Sequence, residues 1–260
     1  MIKGRVALIT GSLGGIGFEI ARVFAKNGAS IVLNGLVKKE SVNQQVQTIE
    51  QFGVPVLYVQ ADLSQPIEIQ KMVDQALELF GKVDILVNNA VTRHDALFEE
   101  IPSDNWNEAI AVNVSAPYHL LKRILPGMKE RNWGRIINMA SIFGVGAMAG
   151  RGDYVITKHA IVGMTKVIAL ECADFNITCN ALCPGAVETS TILELVKKRA
   201  QDKGQDIDEF TKSFLQARQP SRRFVKPESV AALALFLCSE AARAMTGTPI
   251  PMDGGWQARA

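Results

Sequence analysis

The strongest constraint on the fold lies in residues 5–24. A short, β-branched apolar run, Arg5-Val-Ala-Leu-Ile-Thr10, stops at Gly11-Ser-Leu-Gly-Gly15-Ile-Gly17 and resumes at helical spacing through Ile20, Val23 and Phe24. This reads as strand, glycine turn, helix. Glycines let the backbone turn tightly and approach a ligand closely, and the positive N-terminal end of the helix favours a phosphate group. An ordinary flexible turn would need no such arrangement, and its place at the first strand-to-helix junction favours dinucleotide binding.

The rest of the chain repeats the strand and helix alternation. Apolar runs at 31–34, 54–60, 84–87, 135–139 and 176–182 read as strands, and segments 40–52 and 66–80 as intervening helices, with Ser64 and Pro66 as the start signal of the second. Ser103-Asp104 opens a long helix running past Asn113, Tyr154 begins the helix after the fifth strand, and another apolar helix spans 227–237 before a short last strand near Thr248. Buried-type strands alternating with helices predict an α/β fold, a doubly wound parallel sheet with helices on both faces. Residues 189–223 break the rhythm with a charged, helical stretch containing Gly204; placed after the sixth strand on the ligand side, it reads as a lid. With no linker, repeat or low-complexity run, residues 1–260 read as one domain.

Composition narrows the function. Hydrophobic residues make up 48% and charged residues 21%, and a formal charge of +2 gives no electrostatic case for a nucleic-acid or membrane partner. Lys197, Lys198, Arg199, Arg222 and Arg223 are interleaved with Asp202, Asp206, Asp208 and Glu209, which suits a solvated face. The N-terminal apolar run meets Gly11 too soon for a signal peptide or membrane span, so a cytoplasmic location is expected. Cys172, Cys179, Cys183 and Cys238 form no C-x-x-C pair and have no histidine nearby; buried free thiols are expected, and no metal site.

Chemistry concentrates between Ser141 and Lys158. Lys158 stands one helical turn beyond Tyr154 on the same face, where its ammonium can act on the phenol. A free tyrosine titrates near pH ~10, and a neighbouring cation favours the phenolate, so such a residue can exchange a proton with an alcohol or carbonyl nearer neutrality. Ser141, just past the fifth strand, could hold the reacting oxygen at the sheet edge where the glycine turn also lies.

With these residues placed, the chain resembles the short-chain dehydrogenase/reductase family across essentially its whole length. The resemblance is carried in order by Thr10-Gly11-x-x-x-Gly15-Ile-Gly17, Asp62, Asn88-Asn-Ala90, Asn113, Ser141, Tyr154-x-x-x-Lys158, Pro184-Gly185 and Thr189. It implies about seven strands in a Rossmann-type sheet and a catalytic set of Asn113, Ser141, Tyr154 and Lys158. Tyr154 would be the general acid or base, Ser141 would polarise the substrate oxygen, Lys158 would lower the tyrosine pKa and bind the nicotinamide ribose, and Asn113 would position a water linking Lys158 to solvent. Gly11, Gly15, Ile16, Gly17, Leu36 and Leu63 would line the cofactor together with Pro184 and Gly185. Asp62 and Asn89 would border the adenine and its ribose, and Thr189 the nicotinamide amide. The family's Asn-Asn-Ala-Gly ends here in Val91, whose bulk is expected to alter cofactor affinity without abolishing binding. The second strand ends Asn34-Gly35-Leu36 with neither carboxylate nor arginine, and Gly14 stands where NADP-preferring relatives often carry a basic residue. NAD is favoured, and Lys38 and Lys39 keep NADP open.

A narrower resemblance, to the bacterial D-3-hydroxybutyrate dehydrogenases, is carried by Ile31-Val-Leu-Asn-Gly35, Gly134-Arg-Ile-Ile-Asn138, Gln219-Pro-Ser221, Phe224-Val225 and Asp253-Gly-Gly-Trp256. Those enzymes hold a small carboxylate with Gln, His, Lys and Gln, whereas the aligned residues here are Arg93, Phe143, Arg151 and Leu195; only Trp256 is retained. The substrate pocket therefore differs. Arg93 or Arg151 could still capture an acidic group, or both could form surface ion pairs. The leading expectation is a hydride-transferring oxidoreductase of a secondary alcohol or hydroxy acid. The alternatives are an NADPH-dependent carbonyl or 3-oxoacyl reductase and a catalytically silent cofactor-binding regulator. Relatives are commonly tetramers, and the helix at 231–237 with the C-terminal segment could supply a homotetramer interface.

Overall fold

The structure, a computed structural model, describes residues 2–259. Seven strands, β1 (Val6–Ile9), β2 (Ser30–Gly35), β3 (Val56–Gln60), β4 (Ile85–Asn88), β5 (Gly134–Met139), β6 (Ile177–Pro184) and β7 (Pro249–Met252), form one sheet in the order β3-β2-β1-β4-β5-β6-β7. Every paired neighbour is parallel. The helices are α1 (Gly15–Lys26), α2 (Asn43–Glu50), α3 (Pro66–Phe80), α4 (Ser103–Ile110), α5 (Ala116–Glu130), α6 (Gly152–Glu171), α7 (Ser190–Asp202), α8 (Ile207–Arg218) and α9 (Pro227–Leu237).

The strands are apolar on both faces because helices cover both. Alternate residues sort accordingly: Ala7, Ile9, Ile31, Leu33, Ile85 and Val87 meet Ile20 and Phe24 of α1, Ile49 of α2 and Val230 of α9. Leu8, Val32, Leu86 and Ile136 point the other way, to Ile69 and Met72 of α3, Leu120 and Ile124 of α5 and Ala169 of α6. The strand order reverses between β1 and β4, so the crevice at their C-terminal ends is where a ligand is received.

Several boundaries differ from expectation for local reasons. The segment expected as a helix over 40–52 begins as a 3-10 turn, Lys39–Val42, and its α-helical part is α2. Ser64 does not cap α3. Gln65 takes the N-cap position without a side-chain bond, while Glu68 Oε2 reaches back to accept the Asp62 amide at 2.6 Å. Tyr154 is the third residue of α6 rather than its start. The lid segment resolves into α7 and α8, turned at Gly204 with φ +61° and closed on itself by Val196, Ala200, Phe210 and Phe214. Helix α9, which the sequence leaves open to an interface or to core packing, turns Val230, Ala231, Ala234 and Leu237 to the core beside α1, and among its large apolar residues only Phe236 is exposed, at 42%. Exposed large apolar side chains on the opposite layer include Ile67 and Leu79 of α3, Tyr118 of α5, and Ile156, Val167 and Leu170 of α6.

Candidate active site

The glycine turn is built for close approach. Gly11 and Gly15 hold φ +58° and +54°, and a Cβ on Gly11 would sit 2.9 Å from the Ala90 Cα. Gly17 has a different task, since a Cβ there would lie 2.4 Å from Asn89 Nδ2 and 2.6 Å from the Gly11 carbonyl oxygen. That space lets Asn89 donate to the carbonyls of Thr10 and Gly11, both at 2.9 Å. Thr10 Oγ1 accepts the Asn89 amide at 2.9 Å, tying the ends of β1 and β4 together. The N-terminus of α1 has no side-chain cap and no acidic residue in its first turn. Its free amides and dipole are left for an anion.

This turn opens on a cavity of about 710 Å³ lined by Gly11, Gly15, Ile16, Leu36, Asp62, Leu63, Asn89, Val91, Arg93, Ser141, Tyr154, Lys158, Pro184, Gly185 and Thr189, among others. Gly17 and Asn113 stand behind the wall rather than in it. A Cβ on Gly14 would meet nothing within 4 Å, so the chain leaves space in front of the uncapped amides, as a dinucleotide pyrophosphate requires. Leu36, beyond β2, is 69% exposed, and no charged side chain takes its place. The Leu36 and Val37 carbonyls are held by Gln60 Nε2, at 2.9 Å, and by the Tyr58 hydroxyl. Asp62 Oδ1 accepts the Ser64 amide at 2.8 Å.

Ser141 lies two residues beyond the end of β5 and is 6% exposed. Lys158 is 3% exposed, and its Nζ donates to the Met139 carbonyl at 2.6 Å while lying 5.5 Å from the centre of the Tyr154 ring. Burial depresses the Lys158 ammonium to about 8. The expected lowering of the tyrosine by its lysine is not the dominant effect. Burial raises the Tyr154 pKa, and the opposing influences are its hydrogen bond with Ser141 and the charges of Arg93 and Arg151. Phe143 packs edge-on against Tyr154, centroids 6.4 Å apart, and is itself backed by Trp256 at 6.0 Å.

Asn113 lies in a π-helical turn, Ala111–Ser115, between α4 and α5. Its Oδ1 accepts the Thr92 amide at 2.9 Å, and its Nδ2 donates to the Thr92 carbonyl at 2.9 Å and to Thr157 Oγ1 at 3.1 Å. The side chain is thus engaged with the loop after β4 and with α6.

Arg93 and Thr191 also line a second cavity, of about 320 Å³, with Asp95, Arg151, Glu194, Leu195 and Lys198. Here the two candidate arginines diverge. Arg151 Nε stands 2.8 Å from Asp95 Oδ1, and Arg199 Nη2 is 2.8 Å from Asp95 Oδ2. Arg93 has no carboxylate within ion-pair distance among the described residues.

Three further groups carry contacts that the sequence did not assign to them. Asn34, read only as an uncharged strand end, accepts the Gly11 amide at 3.2 Å and donates to the Ala61 carbonyl at 3.1 Å, joining three strand ends. His94 Nδ1 is 2.8 Å from Asp153 Oδ2, and Asp153 Oδ1 accepts the Tyr154 amide at 2.6 Å, which anchors the start of α6. Gln219, fully buried, accepts the Ala186 amide and donates to the Arg223 carbonyl, fastening the end of the lid to the turn after β6. The four cysteines are buried free thiols, and no metal-holding cluster of His, Cys, Asp or Glu occurs among the described residues. No helix among them is long and apolar enough to cross a membrane.

A family model described as Enoyl-(Acyl carrier protein) reductase matches residues 11–257. The chain is 44% identical over 259 residues to the D-beta-hydroxybutyrate dehydrogenase of Cupriavidus necator, covering 100% of both. The L-sorbose reductase of Gluconobacter frateurii, solved with NADPH and L-sorbose, superposes with a TM-score of 0.93 at 35% identity, covering 98% of this chain and 97% of that one. An NAD+-bound xylitol dehydrogenase superposes with a TM-score of 0.89 at 29% identity, over 98% and 99% of the two chains.

Proposed function

This chain belongs to the short-chain dehydrogenase/reductase family and is an NAD(P)-dependent oxidoreductase, and we propose that it interconverts a secondary alcohol or hydroxy acid and its ketone with NAD. The observation that carries this reading is convergence: an uncapped, glycine-lined helix start and the Ser141, Tyr154 and Lys158 side chains share one cavity. Bound at that turn, the nicotinamide cofactor supplies or accepts the hydride.

The chain's own residues manage the proton and the orientation. Ser141 holds the reacting oxygen, and Tyr154 Oη gives it a proton during reduction or removes one during oxidation. Lys158, fixed on the Met139 carbonyl, brings a positive charge beneath the ring without bonding the hydroxyl directly. Phe143, backed by Trp256, packs against the tyrosine ring, and Asn113 locks the loop carrying Thr92 against α6. A catalytically silent regulator would have no use for this set.

The substrate end supports an acidic or polar ligand through Arg93 rather than Arg151. NAD is preferred because the β2 end offers no guanidinium for a 2′-phosphate. The NADPH-dependent reductase reading stays second, supported by the likeness to a reductase solved with NADPH and by the absence of a carboxylate at Leu36. We read residues 1–260 as one domain with a lid at about 189–223, located in the cytoplasm. The exposed Tyr118, Ile156, Val167 and Leu170 suit a homotetramer interface better than α9 does. The test is a panel of 3-hydroxybutyrate, a bulkier hydroxy acid and uncharged secondary alcohols, with the matching ketones, followed by nicotinamide absorbance with each cofactor. Higher kcat/KM with NADPH reverses the cofactor ranking. Equal rates for the wild type and Tyr154→Phe across the panel sink the catalytic reading.

A further inference from the structure

Four guanidinium groups meet where the loop after β4, the start of α6 and the lid helices come together. Arg151 feels the charges of Arg93 and Arg199, and Arg218, at the end of α8, feels those of Arg199 and Arg151. Among the described residues, Asp95 is the one carboxylate bonded to any of the four. It takes Arg151 by two nitrogens, Nε at 2.8 Å and Nη2 at 3.2 Å, and accepts Arg199 Nη2 at 2.8 Å on its second oxygen.

This sharing has a consequence for ligand charge. A guanidinium binds a carboxylate best through a paired edge, and the Nε edge of Arg151 is already occupied. The Arg151 side chain is 14% exposed, so it is held within the protein, while Arg93 lines both the catalytic and the adjoining cavity and has no carboxylate partner among the described residues. The two arginines flanking Tyr154 are therefore not equivalent toward a ligand.

We propose that Asp95 is a specificity-determining residue: by occupying the Nε edge of Arg151, it keeps that guanidinium off the substrate and leaves Arg93 as the cation that an acidic substrate group meets. The inference rests on the hydride-transfer reading given above. It makes the charge preference of the site a property of a residue that does not itself touch the substrate.

The test uses the full chain with NADH and compares acetoacetate with uncharged butan-2-one, by turnover and by tryptophan-fluorescence titration of the enzyme–NADH complex. Asp95→Asn should tighten acetoacetate binding roughly fivefold, the scale of one partly exposed charge-assisted contact, and leave butan-2-one within about twofold. The gain should vanish in Asp95→Asn/Arg151→Met, and Arg199→Gln should leave the preference between the two ligands as in the wild type. Equal tightening for both ligands, a gain that survives without Arg151, or no acetoacetate binding in any variant would overturn the proposal. Should Asp95→Asn fail to fold by circular dichroism, single variants decide: Arg93→Met must weaken acetoacetate binding severalfold and Arg151→Met must not, the reverse order being fatal. The binding pattern without turnover counts against the hydride-transfer reading alone, whereas turnover without the pattern counts against Asp95 alone.

Discussion

Lys158 Nζ is bonded to the Met139 carbonyl oxygen at 2.6 Å, and this contact with the end of β5 fixes the ammonium beneath the Tyr154 ring. Burial lowers the lysine from 10.5 to about 8, whereas an unfolded chain keeps its proton up to the ordinary value. Between those two pH values the unfolded state binds more protons, so this group makes stability rise with pH through the window and fall as pH drops toward 8. The unfolding free energy of the wild type minus that of Lys158→Met should therefore climb from about pH 8 to 10.5, by at most ~3 kcal/mol. Urea titrations of both proteins without nucleotide check this. A difference that stays flat with pH would show that Lys158 is not so strongly desolvated.

Tyr154→Phe keeps the ring that packs against Phe143 and loses only the hydroxyl. Turnover should fall by about 10²-fold to 10⁴-fold, the usual worth of a positioned acid or base. Nucleotide affinity, read by fluorescence titration, should change by less than about threefold. A comparable loss of nucleotide binding would place the hydroxyl in cofactor retention rather than proton transfer.

The fold and the gathering of Ser141, Tyr154 and Lys158 in one cavity were legible because they depend on local pattern. Apolar runs such as Val-Ala-Leu-Ile can only be buried on both faces, and the glycine turn and Tyr154-x-x-x-Lys158 are short-range spacings. What escaped depends on contacts between distant segments. Asn34 looks like any polar strand end until Gly11 and Ala61 stand beside it, 23 and 27 residues away. Asp95 is one more loop acid until Arg151 and Arg199, 56 and 104 residues on, converge on it. The direction of the Tyr154 shift was missed for the same reason: spacing places the lysine nearby, but burial, a property of the assembled cavity, outweighs it.

Gly17→Ala should disable the nucleotide turn without touching the catalytic residues. The added Cβ would fall 2.4 Å from Asn89 Nδ2 and 2.6 Å from the Gly11 oxygen, and the second neighbour is backbone that cannot swing aside. NAD affinity should drop by at least about tenfold and stability by roughly 1–3 kcal/mol. Isothermal titration and thermal melts test the pair. Gly14→Ala, where a Cβ meets nothing within 4 Å, should leave stability within about 1 kcal/mol and serves as the control.

Leu36→Asp should raise the preference for NAD over NADP, and Leu36→Arg should invert it. The side chain is 69% exposed at the cavity edge, so neither charge has to be buried. A carboxylate there can accept a ribose hydroxyl and repel a phosphate, and a guanidinium does the opposite. A change of about tenfold or more in the ratio of the two kcat/KM values is expected, measured at fixed ionic strength because the contact is exposed. An unchanged ratio in both variants would locate cofactor choice elsewhere, with Lys38 and Lys39 next to be replaced.

Asn113→Ala separates a structural lock from a water-holding role. Three hydrogen bonds, to both backbone groups of Thr92 and to Thr157 Oγ1, disappear together, and two of the orphaned groups are backbone. Destabilisation of about 2–4 kcal/mol is expected, together with a fall in kcat as the loop bearing Thr92 and Arg93 loosens. Asn113→Asp discriminates, because it can still accept the Thr92 amide but cannot donate to the Thr92 carbonyl. If the lock governs activity, the loss in kcat should track the loss in melting temperature across the two variants. If the aspartate restores stability while kcat stays as low as in the alanine variant, the amide has a role in proton supply beyond holding the loop.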